Sequence, residues 1–536
     1  MSERSLRADI HIVGAGTGGV AAAMAALRRG RSVVLTNEGD WLGGQLSSQG
    51  VPPDEHAWIE QFGSTRSYRA FREAVRDYYR TWYPLTPEAR AKVDLNPGLG
   101  RVSRLCIEPR VAATVLDAMV GAWRAAGRLT VLEFHRAVEA HVDGDRIRAV
   151  VVEDREGRRT VVESDYVLDA TELGDVLPLA DVEHVTGFES RRDTGEPSAP
   201  DEPQPHNQQA FSWVFAVDHR EGEEHTIDRP ERYAFWRDYR PSFWPDRLLS
   251  LTAADPRTLE IGTRTFVPNQ PSGPVVADQS ADPGDKDLWV FRRILAREQL
   301  QPGIAHSDIT LVNWPMIDYL EGPLVGVSDE ERDRHLAGAR EQSLSMLYWL
   351  QTEAPRPDGG TGWPGLRLRG DVMGTADGLA KDPYIRESRR IRARTTVVEQ
   401  DLSMEVRGDH GAVHYRDSVG VGMYRIDLHP TTGGDNYLDV PSSPFQIPLG
   451  ALLPQRVENL LAAGKNLGTT HITNGCYRLH PVEWNIGEAA GALAAHCLEQ
   501  SRTPHQVHGD ADLLGHFQDE LRADGFELAW PVVKGY

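Results

Sequence analysis

The sequence predicts an α/β fold in which a Rossmann-like dinucleotide-binding domain carries a large inserted α+β domain. Two runs of residues and the chain length predict it. Ala8-Asp9-Ile10-His11-Ile12-Val13 is a short apolar strand that flows into Gly14-Ala15-Gly16-Thr17-Gly18-Gly19 and then an alanine-rich helix through Leu27. A second strand, Ser32-Val33-Val34-Leu35-Thr36, completes a β-α-β unit. The whole chain has 536 residues, beyond the size at which a single core keeps growing, so two domains or one with large insertions is expected.

In that strand-loop-helix context, G-x-G-x-x-G is a dinucleotide fingerprint. Gly14 permits the tight turn, Gly16 lets the backbone approach a pyrophosphate, and Gly19 allows close packing of helix on strand; Ala15 and Gly18 complete the loop. The N–H groups at the helix start attract phosphate. The residue that binds the adenosine ribose falls on Asn37 at the usual spacing, with acidic Glu38 next. Gly39-Asp40-Trp41-Leu42-Gly43-Gly44-Gln45-Leu46 comes after it, and the pair Gly43-Gly44, with Gln45, again lets backbone approach a cofactor.

From Ser64 to Arg80 a helix is expected. Its Arg66, Arg69, Arg72 and Arg76 recur every three or four residues and read as a solvated face. A helix over Glu108–Ala126 opens with Pro109 near its first turn. Leu129–Phe134, His135–Val142, Arg146–Asp154 and Thr160–Glu163 then alternate with turns as a small antiparallel meander. It leads to a buried-type strand, Tyr166-Val167-Leu168-Asp169, and the turn Ala170-Thr171-Glu172.

Composition shifts at 190–210, and 211–440 is rich in Trp, Tyr, Pro and Arg. Near the end, Asn459–Ala463 is a strand running into Gly464-Lys465-Asn466, and a helix from Val482 to about Gln500 carries Gly487, Gly491 and Ala495 on one smooth stripe, suited to close packing of sheet or cofactor. The expected layout is a discontinuous nucleotide domain (1–50, 100–190, 445–505), a helical insertion (51–99), a substrate or cap domain (191–444) and a C-terminal extension (506–536).

A net charge of -21 without a basic tail repels nucleic acid and anionic lipid, so neither is an expected partner. The three cysteines, Cys106, Cys476 and Cys497, form neither a disulfide framework nor a metal-ligand spacing. With no apolar signal region or long apolar stretch, the expectation is a soluble cytoplasmic protein that binds no metal, takes a small-molecule substrate and is a possible homo-oligomer.

These motifs, in this order, resemble those of the FAD-dependent oxidoreductases of the glutathione-reductase-like two-dinucleotide superfamily. The carrying residues are Gly14–Gly19, Asp40–Gln45, Asp169-Ala170-Thr171, Asn313-Trp314-Pro315 with Asp318-Tyr319, Arg386–Arg390, and Ala463–Asn466 through Arg478–Pro481. They are similar to a bacterial branch named simply FAD-dependent oxidoreductase, some of whose members bear a xanthan-lyase label. The resemblance implies FAD as cofactor. It places Ala170 and Thr171 on the adenine-ribose side, with Glu172 replacing a glycine of the family turn, and Gly464, Lys465, Asn466 and the last helix at the ribityl chain and isoalloxazine. A helix N-terminus aimed at the flavin stabilises its reduced, negatively charged form by roughly 0.3–2 kcal/mol.

No thiol pair comes after the second glycine turn and no second glycine fingerprint comes after a convincing strand, which disfavours disulfide reduction and leaves one nucleotide site. The expected function is therefore an FAD-dependent oxidase or dehydrogenase that oxidises C–OH or C–N of a small polar or ring-containing metabolite by hydride transfer to flavin N5. A flavin monooxygenase using external reductant and an RNA-modifying flavoprotein are the alternatives. Such an oxidation needs a base. His480 is the first candidate, and helix capping or cofactor binding is its other role; His429 and His471 come next. Arg478 and Arg386 are candidates for holding a carboxylate or the flavin edge, and Tyr319, with Asp318 and Asn313-Trp314-Pro315, for lining a pocket.

Overall fold

A computed structural model describes residues 4–272 and 286–536; residues 1–3 of the 1–50 segment and 273–285 of the 191–444 segment lie outside the described residues. Strand β1 (Arg4–Val13) is followed by helix α1 (Thr17–Arg28) and strand β2 (Val33–Asn37), which pairs parallel with β1 in the register Ile10 to Val33. Ile10, Ile12, Val33 and Leu35 are buried, as a parallel sheet covered on both faces requires.

Helix α2 (Arg66–Trp82) is capped by the Thr65 hydroxyl, which accepts from the Tyr68 amide. Its arginines depart from the expected solvated face. Arg72 and Arg76 are almost wholly buried because the preceding loop folds its carboxylates under the helix. Arg72 meets Glu55 at 2.8 Å and Glu60 at 2.6 Å, and Arg76 meets Glu60 at 2.6 Å. Only Arg66 is exposed and Arg69 half-buried. Helix α3 (Pro109–Ala125) is the next long element.

The strands at 129–169 correct the expected meander. Strand β3 (Leu129–Glu133) joins the parallel sheet beside β2, because helix α3 provides the crossover that parallel strands need. Strands β4 (His135–Asp143) and β5 (Arg146–Asp154) form a hairpin, and Arg159–Asp169 is one long strand, β6, rather than two. One edge of β6 pairs parallel with β1 throughout. Its other edge pairs antiparallel with β5 over Arg159–Glu163 and then parallel with β7 (Leu460–Ala462) over Val167–Asp169. The sheet order is β3-β2-β1-β6-β5-β4 with β7 beside β6, and the first glycine loop, the Ala170-Thr171 turn and the Gly464 turn all leave its carboxyl edge. The predicted α/β, Rossmann-like class is the fold observed.

The inserted region builds a four-stranded antiparallel sheet, ordered Arg293–Leu295, Ile309–Val312, Phe215–His219, Leu366–Leu368, and a long helix α4 (Asp329–Thr352), whose Gln351 donates to the Leu366 carbonyl at 2.8 Å. Two short antiparallel pairings, Asp318–Tyr319 with Phe211–Ser212 and Ile426–Leu428 with Leu438–Val440, hold the backbone on either side of a contact between Asp318 and His429.

Helix α5 (His480–Gln500) begins at His480, two residues earlier than expected, since Pro481 suits the first turn. A short helix at His471–Tyr477, which the sequence did not suggest, precedes it. The small-residue stripe of α5 packs on helix α1 rather than on the sheet. A Cβ on Gly487 would lie 2.0 Å from the Gly18 carbonyl oxygen, and one on Gly491 would lie 2.2 Å from that of Ala22. Among the described residues no helix is long and apolar enough to cross a membrane.

Gly487→Ala forces the α1–α5 contact apart and is expected to destabilise by about 1–3 kcal/mol, whereas Gly515→Ala, in a helix with open space around it, stabilises by up to ~1 kcal/mol. Opposite shifts in the urea midpoint check this, and equal shifts would refute it. Arg72→Met leaves buried Glu55 without a cation, while Glu60 keeps Arg76, and is expected to lower stability by about 3–5 kcal/mol, read in the same titration.

Candidate active site

A cleft of about 750 Å³ runs along the carboxyl edge of the sheet, within the size range of cofactor sites. Gly14, Ala15, Gly16, Gly44, Ala170 and Thr171 line it. Gly14 has φ +101°, and a Cβ there would strike the Ala170 carbonyl at 2.3 Å, so glycine is required for the turn to fit. The Gly43 N–H donates to the Ala15 carbonyl at 2.8 Å, and the Thr17 hydroxyl donates to the Gly43 carbonyl at 2.9 Å. Those two bonds clamp one glycine loop onto the other. Gly43 and Gly44 both have positive φ, and a Cβ on Gly44 would come within 2.9 Å of Gly16 Cα.

Gly18 and Gly19 serve packing. Their Cβ positions fall 1.9 Å from the Ala463 carbonyl oxygen and 2.0 Å from that of Gly14. Gly16 caps helix α1 without a side-chain acceptor, which leaves the first-turn N–H groups to a ligand. Both residues at the expected ribose position, Asn37 and Glu38, line the cleft. Asn37 also braces the turn, donating to the Trp41 carbonyl at 3.1 Å and accepting from the Gly39 amide.

Asp169, at the end of β6, accepts from the Thr171 amide at 3.0 Å and hydroxyl at 2.7 Å and so fixes the Ala170-Thr171 turn. Beyond it, Lys465 is buried and bonded to Glu172, with Glu483 at 3.8 Å. Burial opposes the ammonium charge, but the two carboxylates outweigh it and hold Lys465 above the ordinary lysine value. Glu172, which replaces the family glycine, therefore faces Gly16 and Gly44 as a neutralised pair. Asn466 donates to the Asp169 carbonyl at 3.0 Å, and Gly464 sits against Glu483. The buried Gln49 Oε1 in the cleft wall, with Gln45 Oε1 and Asn466 Oδ1 nearby in the fold, has no hydrogen-bond donor. Glycine loops, an open helix N-terminus and unpaired acceptors fit FAD at this cleft.

A second cavity, of about 150 Å³, lies in the inserted region, and His429, Arg292, Asn313, Tyr424, Asp427 and Tyr437 are in its wall. Buried Arg478 joins the second glycine loop to this cavity's wall. The Arg478 carbonyl accepts from Gln45 Nε2 at 2.9 Å on the cleft side, and its guanidinium donates to the Asp427 carbonyl at 3.1 Å on the cavity side and to the Tyr384 hydroxyl at 2.8 Å. His429 comes directly after the strand Ile426–Leu428 and meets Asp318 through Nδ1 at 2.6 Å. Asp318 also accepts from the Ser212 hydroxyl at 2.6 Å and pairs with Arg386 at 3.1 Å. Burial opposes its charge, but the Arg386 cation and the hydrogen bonds from His429 and Ser212 hold it ionised, below the ordinary carboxylate range. Burial and Arg386 lower His429 below 6.5 while Asp318 acts in the opposite sense, so the ring is neutral at neutral pH.

The other candidates from sequence lie elsewhere. His480 is fully buried, lines neither cavity, and accepts the Asp54 amide on Nδ1 at 2.9 Å; burial, then the charges of Arg292 and Arg478, lower it to about 3. His471 is stacked on Phe188 and bonded to Glu387 at 2.9 Å. Tyr319 packs among Phe211, Trp236 and His335, its hydroxyl 3.1 Å from His335, away from both cavities. Trp314 is buried, while its neighbours Asn313 and Pro315 reach the second cavity. Arg292, Tyr424, Tyr437 and Asp54 had no local signal, because only long-range packing gathers them.

Nothing among curated proteins matches the chain. Among solved structures it is similar to the anhydrotetracycline hydroxylase OxyS from Streptomyces rimosus (16% identity over 41% of this chain and 39% of that one, TM-score 0.25). It is similar to L-proline dehydrogenase from P. horikoshii (15%, 36% and 26%, TM-score 0.19) and thioredoxin reductase from T. acidophilum (16%, 30% and 34%, TM-score 0.16). The chain thus spans well under half of each of these structures. The model of the family described as FAD dependent oxidoreductase matches residues 9–521, nearly the full length, and the chain belongs to that family: it is an oxidoreductase with FAD as cofactor.

Proposed function

We propose that the protein is an FAD-dependent oxidase or dehydrogenase of a small polar or ring-containing metabolite, bound in the second cavity and oxidised at a C–OH or C–N bond. The Asp318–His429 pair carries this reading. Bound FAD supplies the acceptor for the substrate's hydride, at N5. The substrate's heteroatom proton needs a different acceptor. Asp318 fixes Nδ1–H of His429, which leaves Nε2, with its lone pair, for the cavity that His429 lines. The neutral ring is then competent as a general base, and Asp318 stabilises the imidazolium that forms. Arg386 and Ser212 keep Asp318 ionised and immobile. His480 is too weakly basic and too enclosed for the task. The cytoplasmic assignment rests on three free, buried cysteines.

The test is a metabolite screen of the purified holoenzyme, read by anaerobic bleaching of the flavin colour. With a substrate in hand, His429→Gln should lower kcat/KM by about 10²–10⁴-fold at unchanged FAD content. Full activity in that variant would remove His429 as the base. The base form exists above the His429 pKa, so kcat/KM should be flat near neutrality and fall with decreasing pH on a limb centred below 6.5. Asp318→Asn removes the charge that favours imidazolium and should move that limb to lower pH as kcat falls; a limb that stays in place would contradict the pairing.

A further inference from the structure

We infer that the second cavity recognises a carboxylate carried on a ring-bearing substrate, with Arg292 and Asn313 as the anchoring donors. This rests on the reading of that cavity as the substrate site and names the chemical class it takes. Arg292 is 9% exposed, and its Nε and Nη1 are buried without a hydrogen-bond partner. Asp54 lies 3.8 Å from Nη1, too far for a hydrogen bond. Asn313 is 3% exposed, and its Nδ2 is also buried without a partner. Both residues line the same small cavity. The unmet need there is for acceptors, since guanidinium and Nδ2 only donate.

The acidic members of the wall are already engaged. Asp439 is paired with Arg425, and Asp427 with Arg478 at 3.5 Å. Among the described residues, Arg292 is a wall charge without a hydrogen-bonded counter-ion. A buried guanidinium with an open fork matches the two oxygens of a carboxylate. A buried donor without an acceptor is unfavourable, which makes such a site selective for ligands that supply one. Phe291, Tyr424 and Tyr437 give the remaining wall aromatic faces, and the Tyr437 ring stands edge-on to His429 at 5.9 Å. A planar ring seated there has its carboxylate toward Arg292 and its oxidisable carbon toward His429. The volume of about 150 Å³ limits the ligand to a compact acid.

The test uses the FAD-loaded holoenzyme with benzoate as probe and benzamide as its neutral isostere, followed by calorimetry and by the flavin difference spectrum. Benzoate should bind saturably and at least roughly 10-fold more tightly than benzamide. Arg292→Gln should weaken benzoate roughly 10- to 100-fold and benzamide little, Arg292→Lys should recover part of the loss, and Asn313→Ala should weaken benzoate less. Equal binding of the two probes, tighter binding of benzylamine, or unchanged benzoate affinity in Arg292→Gln would overturn the inference. The comparison of probes on the unaltered protein needs no variant, so a folding defect in Arg292→Gln leaves the test decisive. His429→Gln should retain benzoate binding. If that variant also retains turnover, the base assignment fails while carboxylate recognition stands.

Discussion

The approach of helices α1 and α5, backbone against backbone, is the constraint from which the site is built. No side chain separates Gly18 from Gly487, or Ala22 from Gly491, at the points where the helices touch. One helix descends from the first glycine loop and the other begins directly after Arg478, so their contact fixes residues more than 400 positions apart in sequence. The Gly464 turn is held in the same packing, because the Ala463 carbonyl fills the space a side chain at Gly18 would occupy. Dense packing of this kind transmits small displacements instead of absorbing them. The relative position of glycine loop, Lys465 turn and Arg478 is thus set by backbone geometry alone.

Around that frame, the inserted region is stitched by buried charge. Asp318, Arg386 and His429 form one chain of contacts, and Glu387, Arg390 and His471 form another close by. Each ion would be severely unfavourable alone in the interior. Together they are hydrogen-bonded to backbone and hydroxyl groups, as where Arg386 donates to the Ala210 carbonyl at 2.7 Å. Such networks tolerate only one arrangement of their members. They orient short segments that have too little regular structure to orient themselves.

The nucleotide-binding part was legible in the sequence because its information is local. Gly14 and Gly43 report their own backbone angles, and an alanine-rich helix after a loop reports its own burial. Local signals failed where partners are remote. Arg72 and Arg76 looked like a wet helix face since nothing in the helix reveals that Glu55 and Glu60 fold beneath it. Leu129–Glu133 looked like part of a meander since its parallel partner β2 lies some ninety residues earlier. His480 attracted the base role by standing at the start of the cofactor-side helix, whereas the contact on which the proposal for His429 rests comes from Asp318, 111 positions away. Asn313 and Asp318 were marked by their aromatic neighbours, yet Asn313's place in the cavity wall and Asp318's contact with His429 are purely three-dimensional.

Arg478 belongs to two compartments at once. Its carbonyl holds Gln45 beside the cofactor loops, while its guanidinium holds the strand that carries Asp427 and His429. A residue bonded to both sides is a physical link through which they can be coupled. Any ligand that draws the Asp427 strand inward acts on the same backbone that steadies Gln45, and the free energy gained or lost on one side reappears on the other by linkage. If the second cavity takes the substrate as proposed, any effect of substrate on cofactor retention through Arg478 must be matched by an equal effect of cofactor on substrate affinity.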